Sequence, residues 1–595
     1  MNIPVITPLV HYFHVFYSYA GKRLYALLLL IFFVGISEGI GISMLLPVLN
    51  LDKPKGAYDS YTKVVYDFLE RTGVGVSLAP LLFILFSAFL LKSIFYFSQT
   101  ALSSHIVFNL SKNMKIEFCR KYKLMRYDYY TNTSIGYFNN IITTEIDRLV
   151  SGLEIYIRLI VNVIYIAVYL FAVFMINWKI TTVVIIVCLF LFAILRGVTR
   201  MTRRLGVFIT QAHSDIQSLL LQTIYNFKYL KATNSFSRIL RKLYKRIDDN
   251  KRFEFNKSLL LAIPSSIIEP VSIIILSGLV LYFVEYKGQA IAAIMVTLLF
   301  FYRTITRIFR FQIDWQKFNG SIGAIDVVEK ISRILDSNKE ATGARVVRDF
   351  EGVIELKGVS FSYGSREVLN EIELTIPRNK TIGIVGESGA GKTTIFAILT
   401  GLLRPQRGKV CIDGTDYKEL DIKELRNLIG YITQEPVIFN DSIENNISLW
   451  ECDNKDNGCR ERVEKAASLA KCEKFISESE NKYETIIGDK GVKLSGGQCQ
   501  RIAIAREIFK DLPIMIFDEA TSSLDTESEK FIQNSINSMV GEKTLIIITH
   551  RLSTIRHCDY IYVLKEGRIV NEGGFDELYE DKDSIFSKMC QAQNV

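Results

Sequence analysis

Six long apolar stretches alternate with basic connections over the first half of the chain, near 24–49, 79–105, 153–176, 180–198, 259–284 and 290–312. Each is of the length a transmembrane helix needs, roughly 20 mostly apolar residues. The third and fourth are parted only by a turn around Asn177, Trp178 and Lys179, and the fifth and sixth by "EYKGQ". Two long connections, 106–152 and 199–258, carry runs such as "SKNMKIEFCRKYKLMR" and "TRMTRRLG". Positive loops stay on the inner side of a membrane. Both termini and both long connections are therefore expected in the cytoplasm. A soluble bundle of six buried helices does not explain six runs of this length with one consistent charge asymmetry.

Shorter patterns refine this. The aromatic, amphipathic start lacks a basic leader and a small-residue cleavage site, and reads as an interfacial helix over 1–22. In the outer loop 51–78, Tyr61, Val64, Val65, Phe68 and Leu69 follow helical spacing and predict a short amphipathic helix. Three ionisable residues fall inside the spans: Glu38, Lys92 and Glu269. Glu38, rising from inside, and Lys92, descending from outside, reach similar depth and are expected to pair. Glu269 lies in "PSSIIEP", where Pro264 and Pro270 should weaken the helix. At the end of the sixth span, Arg303, Arg307 and Arg310 in "FYRTITRIFR" share one helical face. They are either an inside anchor or a cationic face for an anionic substrate.

From about residue 315 the pattern becomes that of a soluble domain. The expected organisation is 1–22 interfacial helix, 23–320 six-helix membrane domain, 321–349 linker and 350–595 soluble domain. The nine cysteines are scattered without a CxxC pair and point to reduced thiols rather than a disulfide framework or zinc site. "TIGIVGESGAGKTT" is an apolar strand, a glycine turn and a helix start, and Gly386, Gly391, Lys392 and Thr393 fit G-x-x-x-x-G-K-[ST]. In that context backbone N–H groups wrap phosphate oxygens, Lys392 neutralises the outer phosphates and the Thr393 hydroxyl reaches Mg²⁺. "IMIFDE" reads as a buried strand ending in Asp518, a second magnesium ligand, and Glu519, placed to orient or deprotonate a water.

Between these motifs lies "LSGGQCQR". With it, residues 350–580 resemble the nucleotide-binding domain of ATP-binding cassette (ABC) transporters. Leu494, Ser495, Gly496, Gly497 and Gln498 match that family's signature, Gln434 its Q-loop, Ser522 to Asp525 its D-loop, His550 its switch histidine, and Tyr363 its adenine-stacking aromatic. The resemblance implies a nucleotide site of Tyr363, Gly386, Ser388, Gly389, Gly391, Lys392, Thr393, Thr394, Ser495, Gly496, Gly497 and Gln498. It implies Mg²⁺ at Thr393, Gln434 and Asp518, and hydrolysis served by Glu519, His550, Gln434 and Lys392. It also implies that two chains share each ATP, the phosphate loop of one facing the signature of the other. All motifs being intact, a homodimer is the simplest assembly, with a heterodimer as the alternative. The whole chain is similar to an exporter half-transporter: a membrane α-helical domain of six transmembrane helices, then a cytoplasmic α/β P-loop domain. Residues 129–149 and 221–236 resemble its coupling loops. No domain of peptidase size precedes the first span, which argues against the peptidase-containing exporters.

The cargo is read from the membrane half. The arginines Arg303, Arg307 and Arg310, the outer-loop helix, "ISEGIGISMLLPVL" and "PSSIIEP" together resemble flippases of lipid-linked oligosaccharides. That resemblance implies a polyprenyl-pyrophosphate-linked sugar moved across the cytoplasmic membrane. A multidrug or lipid exporter is the alternative, given the many Tyr and Phe in the spans. An ATP-gated channel or regulatory subunit is a third class, which the intact catalytic motifs disfavour. Neither the charge of +9 nor the motifs point to nucleic acid.

Overall fold

The computed structural model describes residues 6–51, 60–176, 178–288, 291–452, 457–488, 491–520 and 526–593. It divides into two compact units, one ending at Lys339 and one from Glu340 onward that also takes in Arg126–Asp128.

The first unit is helical. Helix α1 (Ile6–Ala20) stops at Gly21, whose φ of +60° reverses the chain, and α2 (Arg23–Ser43) follows. A short α3 (Ser60–Arg71) leads to α4 (Leu78–Lys123), α5 (Ile146–Ile176), α6 (Trp178–Tyr225), α7 (Phe236–Leu281) and α8 (Ile291–Ser337). Helices α2 and α4–α8 cover the six apolar runs. Among the described residues, four stretches are long and apolar enough to cross a membrane: Arg23–Leu49, Leu78–Lys123, Gly136–Phe174 and Phe236–Tyr286. Helices α4, α6, α7 and α8 hold 46, 48, 46 and 47 residues. Each is therefore ~70 Å long, more than twice a ~30 Å hydrocarbon core. The excess is the basic sequence of the long connections. Short helices Tyr127–Thr131 and Phe227–Ala232 lie within those connections.

Packing follows side-chain size. Gly35 and Gly39 of α2 lie against Ile164 and Val168 of α5, and a Cβ on Gly39 would sit 2.8 Å from Val168. Small residues four apart let two helices approach closely where no hydrophobic drive separates protein from lipid. This approach sets Glu38, between those glycines, inside the unit rather than toward lipid.

Three expectations change. Helix α7 runs unbroken through Pro264 and Pro270 and ends in a π-helical turn, Tyr282–Tyr286. Each proline removes one i→i−4 bond, and the flanking turns sustain the helix. The outer helix α3 exists, but its inward face is Thr62, Val65, Tyr66 and Leu69. Tyr66 donates to the Pro47 carbonyl at 2.6 Å, and Asn50 to Thr62 at 3.1 Å. Val64 and Phe68 point outward, Phe68 with 60% exposure, whereas the Tyr61 hydroxyl turns back toward the Met44 sulfur. The third change is in the soluble unit: Cys452 and Cys459 form a disulfide with Cα atoms 5.5 Å apart, so the thiols are not all free.

The second unit has two sheets. The antiparallel one is ordered β2-β1-β4-β5, from β1 (Val353–Tyr363), β2 (Arg366–Pro377), β4 (Arg407–Ile412) and β5 (Thr415–Asp416). The other is ordered β10-β9-β3-β8-β7-β6, from β3 (Thr381–Gly386), β6 (Ile429–Ile432), β7 (Ile514–Asp518), β8 (Thr544–Thr549), β9 (Tyr560–Lys565) and β10 (Arg568–Gly573). All its pairings are parallel except β10 with β9. Strands β3, β7 and β8 are buried along their whole length, as parallel strands covered on both faces must be. Helix α9 (Lys392–Leu399) packs in one core, with β1, β2 and β4; α10 (Gly496–Lys510) packs in a second, mostly helical one.

Candidate nucleotide site and membrane charge cluster

In an open parallel sheet the ligand-binding crevice lies at the carboxyl ends of the strands. Gly386 ends β3, Asp518 ends β7, and His550 directly follows β8. The loop Glu387–Gly391 turns β3 into α9. A Cβ on Gly386 would come within 2.3 Å of the Leu564 carbonyl. Gly391 has φ +109°, and a Cβ there would meet Leu369 at 2.7 Å. Both positions thus require glycine for steric reasons. Ser388 and Gly389 lie on the exposed side of this loop, Thr393 is exposed at the first turn of α9, and Thr394 is buried beside it.

Three predicted residues meet at the carboxylate of a fourth, Glu519. Lys392 Nζ lies 3.8 Å from Glu519 Oε1, Gln434 Nε2 donates to Glu519 Oε2 at 3.1 Å, and His550 Nδ1 is 3.3 Å from the same oxygen. Glu519 itself has φ +47°, and its N–H is fixed on the Ile548 carbonyl at 2.7 Å. A non-glycine residue in the left-handed region is uncommon and is held there by its surroundings. Lys392 Nζ also donates to the Gly386 and Glu387 carbonyls at 2.8 and 3.0 Å. Burial pushes its pKa down, against the opposing pull of Glu519 and Asp518. Burial pushes the Asp518 carboxyl up, while the Tyr431 hydroxyl, donating at 3.3 Å, acts the other way.

Among the described residues no cluster of three or more His, Cys, Asp or Glu side chains could hold a metal. The Thr393 hydroxyl, the Gln434 amide and the Asp518 carboxylate are a sparse, all-oxygen set. That suits Mg²⁺, which keeps several waters and is held by one or two protein oxygens plus phosphates.

Tyr363 ends β1 with 48% exposure and an edge contact on Phe361, leaving ring surface for a base. Ser495 caps α10: its hydroxyl accepts from the Gln498 N–H, and the Gln498 side chain accepts from the Ser495 N–H. Gly496 and Gly497 open the helix, so their N–H groups face its positive end. Ser522 to Asp525 lie outside the described residues.

Several contributing residues carry no motif. Gln500 of α10 donates to the Thr433 carbonyl at 3.2 Å, tying the signature helix to the residue before Gln434. Arg506, buried in α10, donates to the Asn446 and Val437 carbonyls at 2.7 Å each, fixing the segment after Gln434. Gln593 donates to the His550 carbonyl at 2.6 Å and accepts from the Leu552 N–H. The one sequence signal for these was a polar residue inside an apolar helical repeat, as in "RIAIAREIF".

In the helical unit, Lys92 Nζ lies 3.1 Å from Glu38 Oε2, the pair expected from their depth. Arg303 Nη1 lies 3.8 Å from Glu38 Oε1. The Arg307 guanidinium covers the Tyr165 ring at 4.0 Å. Arg310 is exposed, as is Glu269.

Comparison with known proteins fits this geometry. Residues 369–522 match the family model described as ABC transporter, and 56–310 that described as ABC transporter transmembrane region. The chain is 30% identical over 488 residues to the heterocyst differentiation ATP-binding protein HepA of Nostoc sp., spanning 80% of this chain and 78% of that one. It is 28% identical to the ATP-dependent lipid A-core flippase of Desulfotalea psychrophila, over 86% of this chain and 89% of that one. Its fold is similar to a solved bacterial Atm1-family ABC exporter with ATP bound, with a TM-score of 0.77, 22% identity, and 96% and 98% of the two chains covered.

Proposed function

The chain belongs to the ABC transporters, an exporter whose ATPase is coupled to transport, and from that premise we propose that it flips a polyprenyl-pyrophosphate-linked oligosaccharide across the cytoplasmic membrane. The observation that carries the substrate reading is the cationic cluster of Lys92, Arg303 and Arg307 in the membrane helices. Glu38 lies ~20 Å from the inner end of its helix, and Lys92 and Arg303 lie ~20 Å from the outer ends of theirs, so all three fall inside a ~30 Å core. Charge at that depth faces protein or water and marks a substrate path. Guanidinium groups pair bidentately with phosphate oxygens, and a pyrophosphate supplies such oxygens while its lipid tail stays in the bilayer. The lipid A-core flippases among the relatives support an amphipathic lipid as cargo.

In the engine, Glu519 is the group that orients or deprotonates the attacking water, within the grip of Gln434 and His550. Lys392 and the loop N–H groups of Ser388, Gly389, Gly391, Thr393 and Thr394 hold the phosphates. Tyr363 stacks on adenine. Thr393, Gln434 and Asp518 would hold Mg²⁺, which when bound supplies charge neutralisation between the outer phosphates. Two copies of the chain act together, Ser495, Gly496, Gly497 and Gln498 of each closing the other's ATP.

The test is reconstitution in liposomes with labelled lipid-linked oligosaccharide. ATP-dependent movement of the labelled lipid, absent with a neutral polyprenol, is expected. Stimulation of ATPase by apolar cations or neutral lipids alone would favour the multidrug or lipid exporter.

A further inference from the structure

Glu38 is 1% exposed, inside a membrane helix, and is shared by two cations. Tyr165, Tyr169 and Arg307 are all within electrostatic reach of the same carboxylate. Lys92, Arg303 and Arg307 against one carboxylate leave two positive charges in excess. The two ion contacts are unequal. Lys92 approaches to 3.1 Å and is largely covered, whereas Arg303 stands at 3.8 Å with 47% of its side chain exposed. An anion entering this region therefore meets Arg303 first. Removing Arg303 from Glu38 does not strand a buried charge, because Lys92 continues to neutralise the carboxylate.

From this asymmetry we propose that Glu38 is a built-in competitor for the substrate's anionic headgroup, a specificity-determining residue that holds Arg303 until a multiply charged phosphate takes it, and that reclaims it for release. The proposal rests on the reading of this cluster as a phosphate site. Specificity follows from competition. A pyrophosphate offers Arg303 more charge and a better fork geometry than a carboxylate at 3.8 Å does. A singly charged headgroup offers no more than Glu38 already supplies and leaves Arg303 where it is. The excess of two positive charges then matches a diphosphate once Arg303 has moved. A merely structural Glu38 would change stability when replaced, without changing which headgroups bind.

The experiment uses the full chain in nanodiscs and three probes: polyprenyl diphosphate, a polyprenyl monophosphate esterified to a sugar so that, as a phosphodiester, it carries one charge, and polyprenol. Binding is measured for wild type, Glu38→Gln, Glu38→Asp, Arg303→Ala and Glu38→Gln/Arg303→Ala, with gel filtration and thermal melting establishing that each variant is folded. Glu38→Gln should bind the diphosphate about tenfold tighter, as expected for removing a like charge from a desolvated site. It should also lose most of the preference for diphosphate over monophosphate. Glu38→Asp should restore that preference, and the double variant should bind no better than Arg303→Ala. Substrate-stimulated ATPase of Glu38→Gln should show a lower half-maximal concentration and a lower maximum, because release slows. A folded Glu38→Gln protein that binds the diphosphate as wild type does, or more weakly, overturns the proposal. If wild type does not prefer diphosphate to polyprenol, the substrate reading falls. A bisphosphorylated glycolipid is then the probe for the same variants: tighter binding by Glu38→Gln sustains the role of Glu38, and equal or weaker binding removes it.

Discussion

At the scale of single residues, the soluble site is a carboxylate with three attendants. Lys392, Gln434 and His550 come from three distant parts of the chain and meet only at Glu519. Glu519→Gln keeps the shape and removes the base. It should retain ATP binding while turnover falls ~10²-fold or more, the usual worth of a positioned acid–base group; near-normal phosphate release would reject Glu519 in that role. Asp518 gives a prediction of the opposite kind. Burial raises its pKa, so the ionised carboxylate is the form the folded domain penalises. That penalty is fully present above its raised pKa and is relieved as pH falls through it. Asp518→Asn should therefore melt higher in EDTA, by about 2–4 °C for a gain of ~1 kcal/mol. The gain should shrink on acidification, and Mg²⁺-dependent ATPase should be lost. An unchanged or lower melting temperature at neutral pH would contradict it. The motif residues were legible because each follows a local strand–turn–helix pattern. The Arg303 share in Glu38 was not, since it depends on how α2, α4 and α8 pack side by side.

At the scale of elements, periodicity located helices better than it located their faces. The α3 sequence carries two apolar stripes. Spacing alone selected Tyr61, Val64, Val65, Phe68 and Leu69; the fold turns Val65 and Leu69 inward with Thr62 and Tyr66 and leaves Val64 and Phe68 outside, the Tyr66 and Asn50 hydrogen bonds fixing the choice. A helical stripe shows that a helix has an apolar face, and neighbours decide which face is inside. The outward Val64 and Phe68 then remain available to an acyl or polyprenyl chain. Val64→Asp/Phe68→Asp should lower lipid transported per ATP hydrolysed, measured in proteoliposomes; an unchanged ratio would make α3 a connector only. The helix α10 offers a quieter test. Ser495→Ala breaks the capping box with Gln498 and should destabilise the soluble domain by ~1 kcal/mol. Cys452 and Cys459 were not legible as a pair, because seven residues of separation say nothing about side-chain direction. Non-reduced, denatured protein should show two fewer titratable thiols than reduced protein.

At the scale of the whole molecule, helices cover the six apolar runs and an α/β unit follows them, as periodicity and the strand–turn–helix motifs led one to expect, and what lies beyond one chain must be tested by chain mixing. Within the chain, Lys392 begins a helix packed on one core of the soluble unit, and Ser495 caps a helix packed on the other. If each ATP is enclosed by the phosphate loop of one copy and the signature of the other, two lesions should complement in trans. Ser495→Arg spoils a chain's signature and leaves its phosphate loop; Lys392→Ala does the reverse. Each variant alone contains only defective sites and should be inactive. In a mixed dimer one site joins the sound phosphate loop of the first chain to the sound signature of the second, and the other site collects both lesions. Equal mixing makes half the dimers mixed, each with one sound site of two. Activity should therefore recover to ~25% of wild type if the sites work independently, and the recovery should follow the two-fold dimer's mixing ratio. A closed site in each separate chain predicts no recovery at any ratio. Differential tags that purify only mixed dimers sharpen the comparison, since those should then show about half the wild-type rate by the same reasoning. Inactive mixed dimers would remove the shared site, and active unmixed Ser495→Arg protein would remove Ser495 from the machinery altogether.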